Sequence, residues 1–169
     1  MIRTAADRTR LLPPRARLVP VASTMAGSLL HALPVVATAP VMPPFGLLVL
    51  LGWRLLRPEL WHAWVALPLG LFDDLAAGHP PGSAMTLWTF GFLLLDMLDD
   101  RLLWRDYWIE WLVAAALIAL CMTGTWAVAA FTTGERAIGA ILPQIMVTIF
   151  CFPAVVRVCA VLDRWRLRR

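Results

Sequence analysis

Apolar residues fall in six windows along the chain, separated by short breaks rich in Pro, Gly and charge, and these windows predict helices at 18–37, 44–57, 61–78, 83–98, 108–131 and 138–162. No polar stretch between them is long enough to bury a soluble core of its own. The pattern therefore predicts one all-α membrane domain over 18–162, flanked by Arg-rich cytoplasmic tails at 1–17 and 163–169. The second window is the weakest. It is strongly apolar from Phe45 to Trp53, but Pro43 and Pro44 precede it and Arg54 and Arg57 close it. The expected fold is a polytopic bundle of six transmembrane helices, with five spans plus a re-entrant segment at 44–57 as the variant.

Composition agrees with that class, because 60% apolar residues and nine Trp in 169 do not describe a soluble domain. Charge then orients the bundle. With the N-terminus inside, Arg3, Arg8, Arg10, Arg15, Arg17, Arg54, Arg57, Arg101, Arg105, Arg157, Arg164, Arg166, Arg168 and Arg169 are all cytoplasmic, and Arg136 alone lies outside. A five-span count spoils this asymmetry, so both termini are expected in the cytoplasm. The net charge of +4 is then a topology signal, and the tails can touch anionic lipid headgroups at about 1 kcal/mol per basic residue. No aromatic-basic platform or basic recognition helix is present, so nucleic acid is not an expected partner. The first span lacks a small-residue cleavage site and reads as a retained helix. Trp53, Trp61, Trp64, Trp104, Trp108, Trp111 and Trp165 flank the inner ends of spans, and Trp88 and Trp126 lie nearer the other leaflet, which reads as interfacial anchoring.

The third window carries the candidate chemistry: two adjacent acids, Asp73 and Asp74, at membrane depth. An ionisable residue there is expensive and marks a functional position by default. Helical spacing places Gly70, Asp74, Ala77 and Gly78 on one narrow face, a small-residue stripe that lets another helix approach. Pro68 should bend the helix below that face, and Gly78-His79-Pro80-Pro81-Gly82 reads as a compact outer turn. Asp74 has three competing uses. It can bond backbone amides of the following turn and hold the third and fourth helices together, contact a partner or lipid, or act in a catalytic acid pair. The last is disfavoured, because adjacent carboxylates on one helix diverge by about 100°.

The remaining polar groups point away from catalysis. Cys121, Cys151 and Cys159 lie inside spans without CxxC spacing and read as apolar packing. His31, His62 and His79 sit mid-span, at the inner boundary and in the outer turn, so they are not expected to share a metal. Neither a hydrolase triad, HExxH, a phosphate loop nor a dinucleotide fingerprint is present, and no cofactor is implied. Asp96, Asp99, Asp100, Arg101, Arg105 and Asp106 form a mixed-charge connector, read as solvated with local ion pairs or as a docking surface for cytoplasmic partners. Glu110 and Arg157 share an inner-leaflet depth and are candidates to pair. Pro143 and Pro153 should kink the last helix twice, with Gln144 available to satisfy freed backbone.

The run Pro58, Trp61, Ala66-Leu67-Pro68, Gly70, Asp74, Gly78 and Pro81-Gly82 resembles the MreD family, the rod shape-determining membrane proteins of bacterial cell elongation. An aromatic-rich start, a Pro, then Gly, Asp four residues on and two Gly four apart carry the likeness, and length and Arg-rich inner ends extend it over the chain. The doubled acid departs from the pattern, which needs only the position of Asp74. The resemblance implies a non-enzymatic scaffold of the bacterial inner membrane that binds MreC and supports side-wall peptidoglycan synthesis with MreB, RodA and a class B penicillin-binding protein. It also implies a six-helix arrangement resembling the substrate-binding membrane subunits of transporters. A small-molecule or lipid-binding transporter subunit with a cavity around Asp74 is accordingly the alternative. The implied interaction and structural residues are Pro68, Gly70, Asp74, Gly78, Pro81 and Gly82.

Overall fold

A computed structural model describes residues 14–30, 42–99, 107–133 and 141–167. Among them are six α-helices, one short 3-10 turn and no strand: α1 (Pro14–Leu29), α2 (Phe45–Leu56), the turn Pro58–Leu60, α3 (Ala63–Ala77), α4 (Ser83–Asp99), α5 (Tyr107–Thr133) and α6 (Ile141–Leu167). Each predicted window overlaps one helix. α1 begins at Pro14 and α6 continues to Leu167. Expectations for residues 1–13, His31, the segment 100–106 and Arg136 lie outside the described residues.

By length and composition alone, two helices qualify to cross a membrane, within Trp108–Thr132 and Ile141–Leu167. The shorter helices differ most from the expectation at α2, whose 12 residues rise about 18 Å against the roughly 30 Å of a hydrocarbon core. Packing supplies the reason. The helix contacts close into a ring, α1 to α3, α3 to α4, α4 to α5, α5 to α6 and α6 back to α1, and α2 packs on α1, α5 and α6 within it. Leu47, Leu48, Leu50, Leu51 and Trp53 are buried on successive sides of α2. A helix apolar all round is a core helix, and one enclosed by protein need not match a bilayer in length.

The bundle is polar in places inside and apolar outside. Arg54, Asp73, Asp74, Asp163 and Arg166 are buried, whereas Trp64, Leu75, Phe131 and Phe150 stand exposed on the outer helices. Buried hydroxyls bond their own helices, Thr24 to the Pro20 carbonyl at 2.9 Å and Thr148 to that of Gln144 at 2.6 Å.

Three expectations are corrected by the packing. Trp53, Trp61 and Trp88 are core residues, not interfacial anchors. The Trp53 indole N–H donates to Ser23 Oγ at 2.9 Å, and Trp61 meets Phe92 edge to face. Exposure of Trp64, Trp108 and Trp165 fits the anchoring role. The double kink of α6 is also revised. Pro143 lies in the first turn, where a backbone N–H has no partner within the helix, leaving Pro153 as the interior proline. Gln144 bonds the Met42 carbonyl at 2.8 Å, joining the start of α6 to the segment before α2. Finally, no ion pair links Glu110 to the exposed Arg157 among the described residues; the pairs formed lie elsewhere.

Candidate functional site

The end of α3 and the start of α4 are built by one residue. At the C-terminus of α3, Gly78 takes the left-handed conformation (φ 67°, ψ 25°), and its N–H bonds the Asp74 carbonyl. The His79 N–H reaches the same carbonyl at 3.0 Å, closing the helix. The Asp74 side chain then crosses to α4. Its Oδ1 accepts from Ser83 Oγ and the Ala84 N–H, each at 2.8 Å, and its Oδ2 accepts from the Gly82 N–H at 2.9 Å and the Met85 N–H at 3.4 Å.

A helix begins with backbone N–H groups that have no acceptor within it, normally satisfied by a local capping side chain. Here the cap comes from the preceding helix, eight to eleven residues back. The carboxylate also sits at the positive end of the α4 dipole, which offsets the cost of burying it. Asp74 is 1% exposed, and its roughly four acceptor positions are taken by four donors. No acceptor remains for a substrate or ligand.

Close helix approach makes this cap possible. A Cβ at Gly70 would fall 2.6 Å from Met85 Cα and 2.7 Å from its nitrogen, both backbone atoms, so only glycine admits the first turn of α4. Gly70 and Asp74, one helical turn apart, therefore act together as the expected stripe proposes. Gly78 does not belong to it. Nothing lies within 4 Å of a Cβ added there, and its role is the positive φ that ends α3. Gly82 likewise has φ 97° and presents its N–H to Asp74. Pro81 lies exposed in that turn, and Pro68 lies exposed within α3.

The second acid is buried beside the start of α2. Asp73 is buried, and a Cβ on Gly46, the second residue of α2, would lie 2.6 Å from its Oδ1. The adjacent carboxylates thus diverge to the starts of two different helices, Asp74 to α4 and Asp73 to α2, where the dipole favours an anion.

A second cluster closes the opposite end of α2. Arg54 is 4% exposed; it pairs with Asp96 and, at 3.0 Å, with Asp99 of α4, and its guanidinium lies 5.9 Å from the Phe92 ring centroid. Arg57 reaches Asp163 of α6 at 3.0 Å, and Arg166 holds the same carboxylate at 2.6 Å while lying 5.1 Å from the Trp53 ring centroid. Asp96 and Asp99, expected as solvated members of a mixed-charge connector, are partly exposed and also pair across to the buried Arg54 of α2. The sequence carried a signal for this cluster: Arg54 and Arg57, Asp96 and Asp99, and Asp163 and Arg166 are each three apart in sequence, at one inferred depth. Reading Arg as topology alone concealed it.

His62 and His79 lie at opposite ends of α3, and the described residues hold no group of three or more metal-ligating side chains. The three cysteines are free; Cys121 packs near the Leu87 carbonyl and Cys159 near that of Val49. Comparison with protein-family models, with curated proteins and with solved structures returned no match.

Proposed function

We propose that this chain is a six-span protein of the bacterial inner membrane, with both termini in the cytoplasm, that serves as a non-catalytic scaffold of the cell-elongation complex in the manner of the MreD family it resembles. The observation that carries the reading is the Asp74 cap. The residues of the resemblance, Gly70, Asp74, Gly78 and Gly82, meet at one corner and have structural tasks there. A corner that spends its buried acid on two helix ends fixes the shape of a surface, which is what a docking scaffold needs.

Two further features support the membrane part. Large apolar side chains cover the outside of α3 to α6, where a membrane or a partner must take them up. The ring of the other helices shields the short α2 from lipid, which supports a place for it inside a membrane bundle. MreC, and through it MreB, RodA and a class B penicillin-binding protein, are the proposed partners. The transporter-subunit reading placed its ligand at Asp74, whose filled acceptors argue against that cavity.

Detergent co-purification from the native membrane tests the proposal, with tagged parent, Asp74→Asn and Gly70→Leu run side by side. Recovery of MreC and elongation enzymes with the parent, reduced in the inserted variants, is expected. Recovery of an energising ATPase without those partners would contradict it.

A further inference from the structure

The cap at Asp74 leaves its neighbour Asp73 at a second corner, where three helices meet. The end of α1 presses on the start of α2, since a Cβ added to Gly27 would fall 3.0 Å from the Phe45 carbonyl oxygen and 3.2 Å from the Gly46 nitrogen. A Cβ on Gly46 would in turn collide with Ser28 Oγ of α1 and fall 2.6 Å from Asp73 Oδ1 of α3. A hydroxyl and a carboxylate thus bracket one point at the first turn of α2.

Ser28 is the group out of place there. It is 1% exposed, and its hydroxyl has no hydrogen-bond partner among the described residues. Thr24, Thr89 and Thr148 return their hydroxyls to carbonyls of their own helices, whereas Ser28 Oγ is turned toward Gly46. The start of α2 has a matching need. The Leu48 N–H bonds the Pro44 carbonyl, but the N–H groups before it have no acceptor within the helix, and Pro44 supplies no side-chain cap. Leaving a buried hydroxyl unbonded is costly, so the corner calls for a small polar ligand.

We propose that Ser28, Asp73 and the first turn of α2 hold one buried water molecule that fastens α1, α2 and α3 together. The water accepts from the Ser28 hydroxyl and from an N–H of the first turn, and it donates to Asp73 Oδ1. These are the three or so bonds that a buried water makes. A carboxylate has about four acceptor positions, so this bond adds to the contact that Asp73 already makes. A cation in the same place would face the positive end of the α2 dipole, which selects a neutral ligand. The site rests on neither the membrane reading nor the elongation partners.

Crystals of the full chain, one set grown in sodium and one soaked in thallium(I), test the site. A solvent peak within about 2.6–3.2 Å of both Ser28 Oγ and Asp73 Oδ1, with no anomalous signal in the thallium set, is expected. An anomalous peak there makes the ligand a monovalent cation and overturns the assignment, as does an ordered corner with no peak. Melting of Ser28→Ala gives a second readout. Loss of the bridge should lower Tm by about 2–4 °C, the shift for one hydrogen bond in a chain of this size. An unbonded hydroxyl gives the opposite sign, because removing it and gaining a better helix former both stabilise. An unchanged or raised Tm therefore overturns the water bridge.

Discussion

Replacing Asp74 by Asn tests the helix cap with the least change in shape. The side chain keeps one acceptor oxygen and exchanges the other for an NH₂ donor. If the NH₂ takes the Oδ2 position, it faces the Gly82 and Met85 N–H groups at 2.9 and 3.4 Å, donor against donor. If it takes the Oδ1 position, the Ser83 hydroxyl can rotate to accept, but the Ala84 N–H at 2.8 Å still loses its partner. Each orientation breaks at least one charge-assisted bond, about 1.5–3 kcal/mol, and removes the anion from the α4 dipole, about 0.3–2 kcal/mol. A total near 3 kcal/mol corresponds to a fall in Tm of about 6–12 °C for a chain of this size. Thermal melting in detergent reads the total, and amide hydrogen exchange at residues 82–86 locates it. Loss of protection should be concentrated there. An Asn variant with unchanged Tm and unchanged exchange at those amides would refute the capping argument.

Further outcomes follow from the same geometry. Gly70→Ala should cost about 1–3 kcal/mol by overpacking, because its Cβ meets Met85 backbone, whereas Gly78→Ala meets open space and should cost about 1–2 kcal/mol through its positive φ alone. Hydrogen exchange separates the two, opening the start of α4 in the first and only the end of α3 in the second. The paired change Asp96→Asn and Asp99→Asn should destabilise by about 3–5 kcal/mol, because it leaves Arg54 buried without a counter-charge. Arg54→Met should cost less in the same melting assay, since the acids it abandons are 47% and 30% exposed. Gly46→Ala should disturb the α2 start by crowding Asp73, and Asp73→Ala in the same chain should relieve part of the defect in a double-mutant cycle.

The helices were legible because each rests on a local apolar run, and the weakest window, 44–57, returned as the shortest helix. Its place at the centre of the ring was not legible. That depends on which helices neighbour it, a property absent from any one window's composition. The Asp74 cap was foreseen as one use of a buried acceptor, since an acid at depth beside a Gly-Pro turn has few alternatives. Gly78 was read both in the stripe and at the turn, and only the turn holds, because helical spacing cannot distinguish a glycine pressed by a neighbour from one needed for its φ. The Trp residues show the same limit. Trp53 and Trp64 both stand near span ends in sequence, yet one is enclosed by α1 and α6 contacts while the other faces outward. The approach of Asp73 to Gly46 and the pairing of Arg54 with Asp96 join positions 27 and 42 residues apart, separations that local periodicity does not encode.

Cysteine accessibility in intact cells tests the inserted six-helix bundle most directly, because its sidedness underlies the proposed function. Single cysteines placed at Pro81, Glu59 and Leu167 in a chain freed of Cys121, Cys151 and Cys159 would be probed with a membrane-impermeant maleimide. The account predicts labelling at position 81 in intact cells, and at positions 59 and 167 only after the membrane is opened. Labelling of 59 or 167 from outside, or of 81 only after opening, would contradict it.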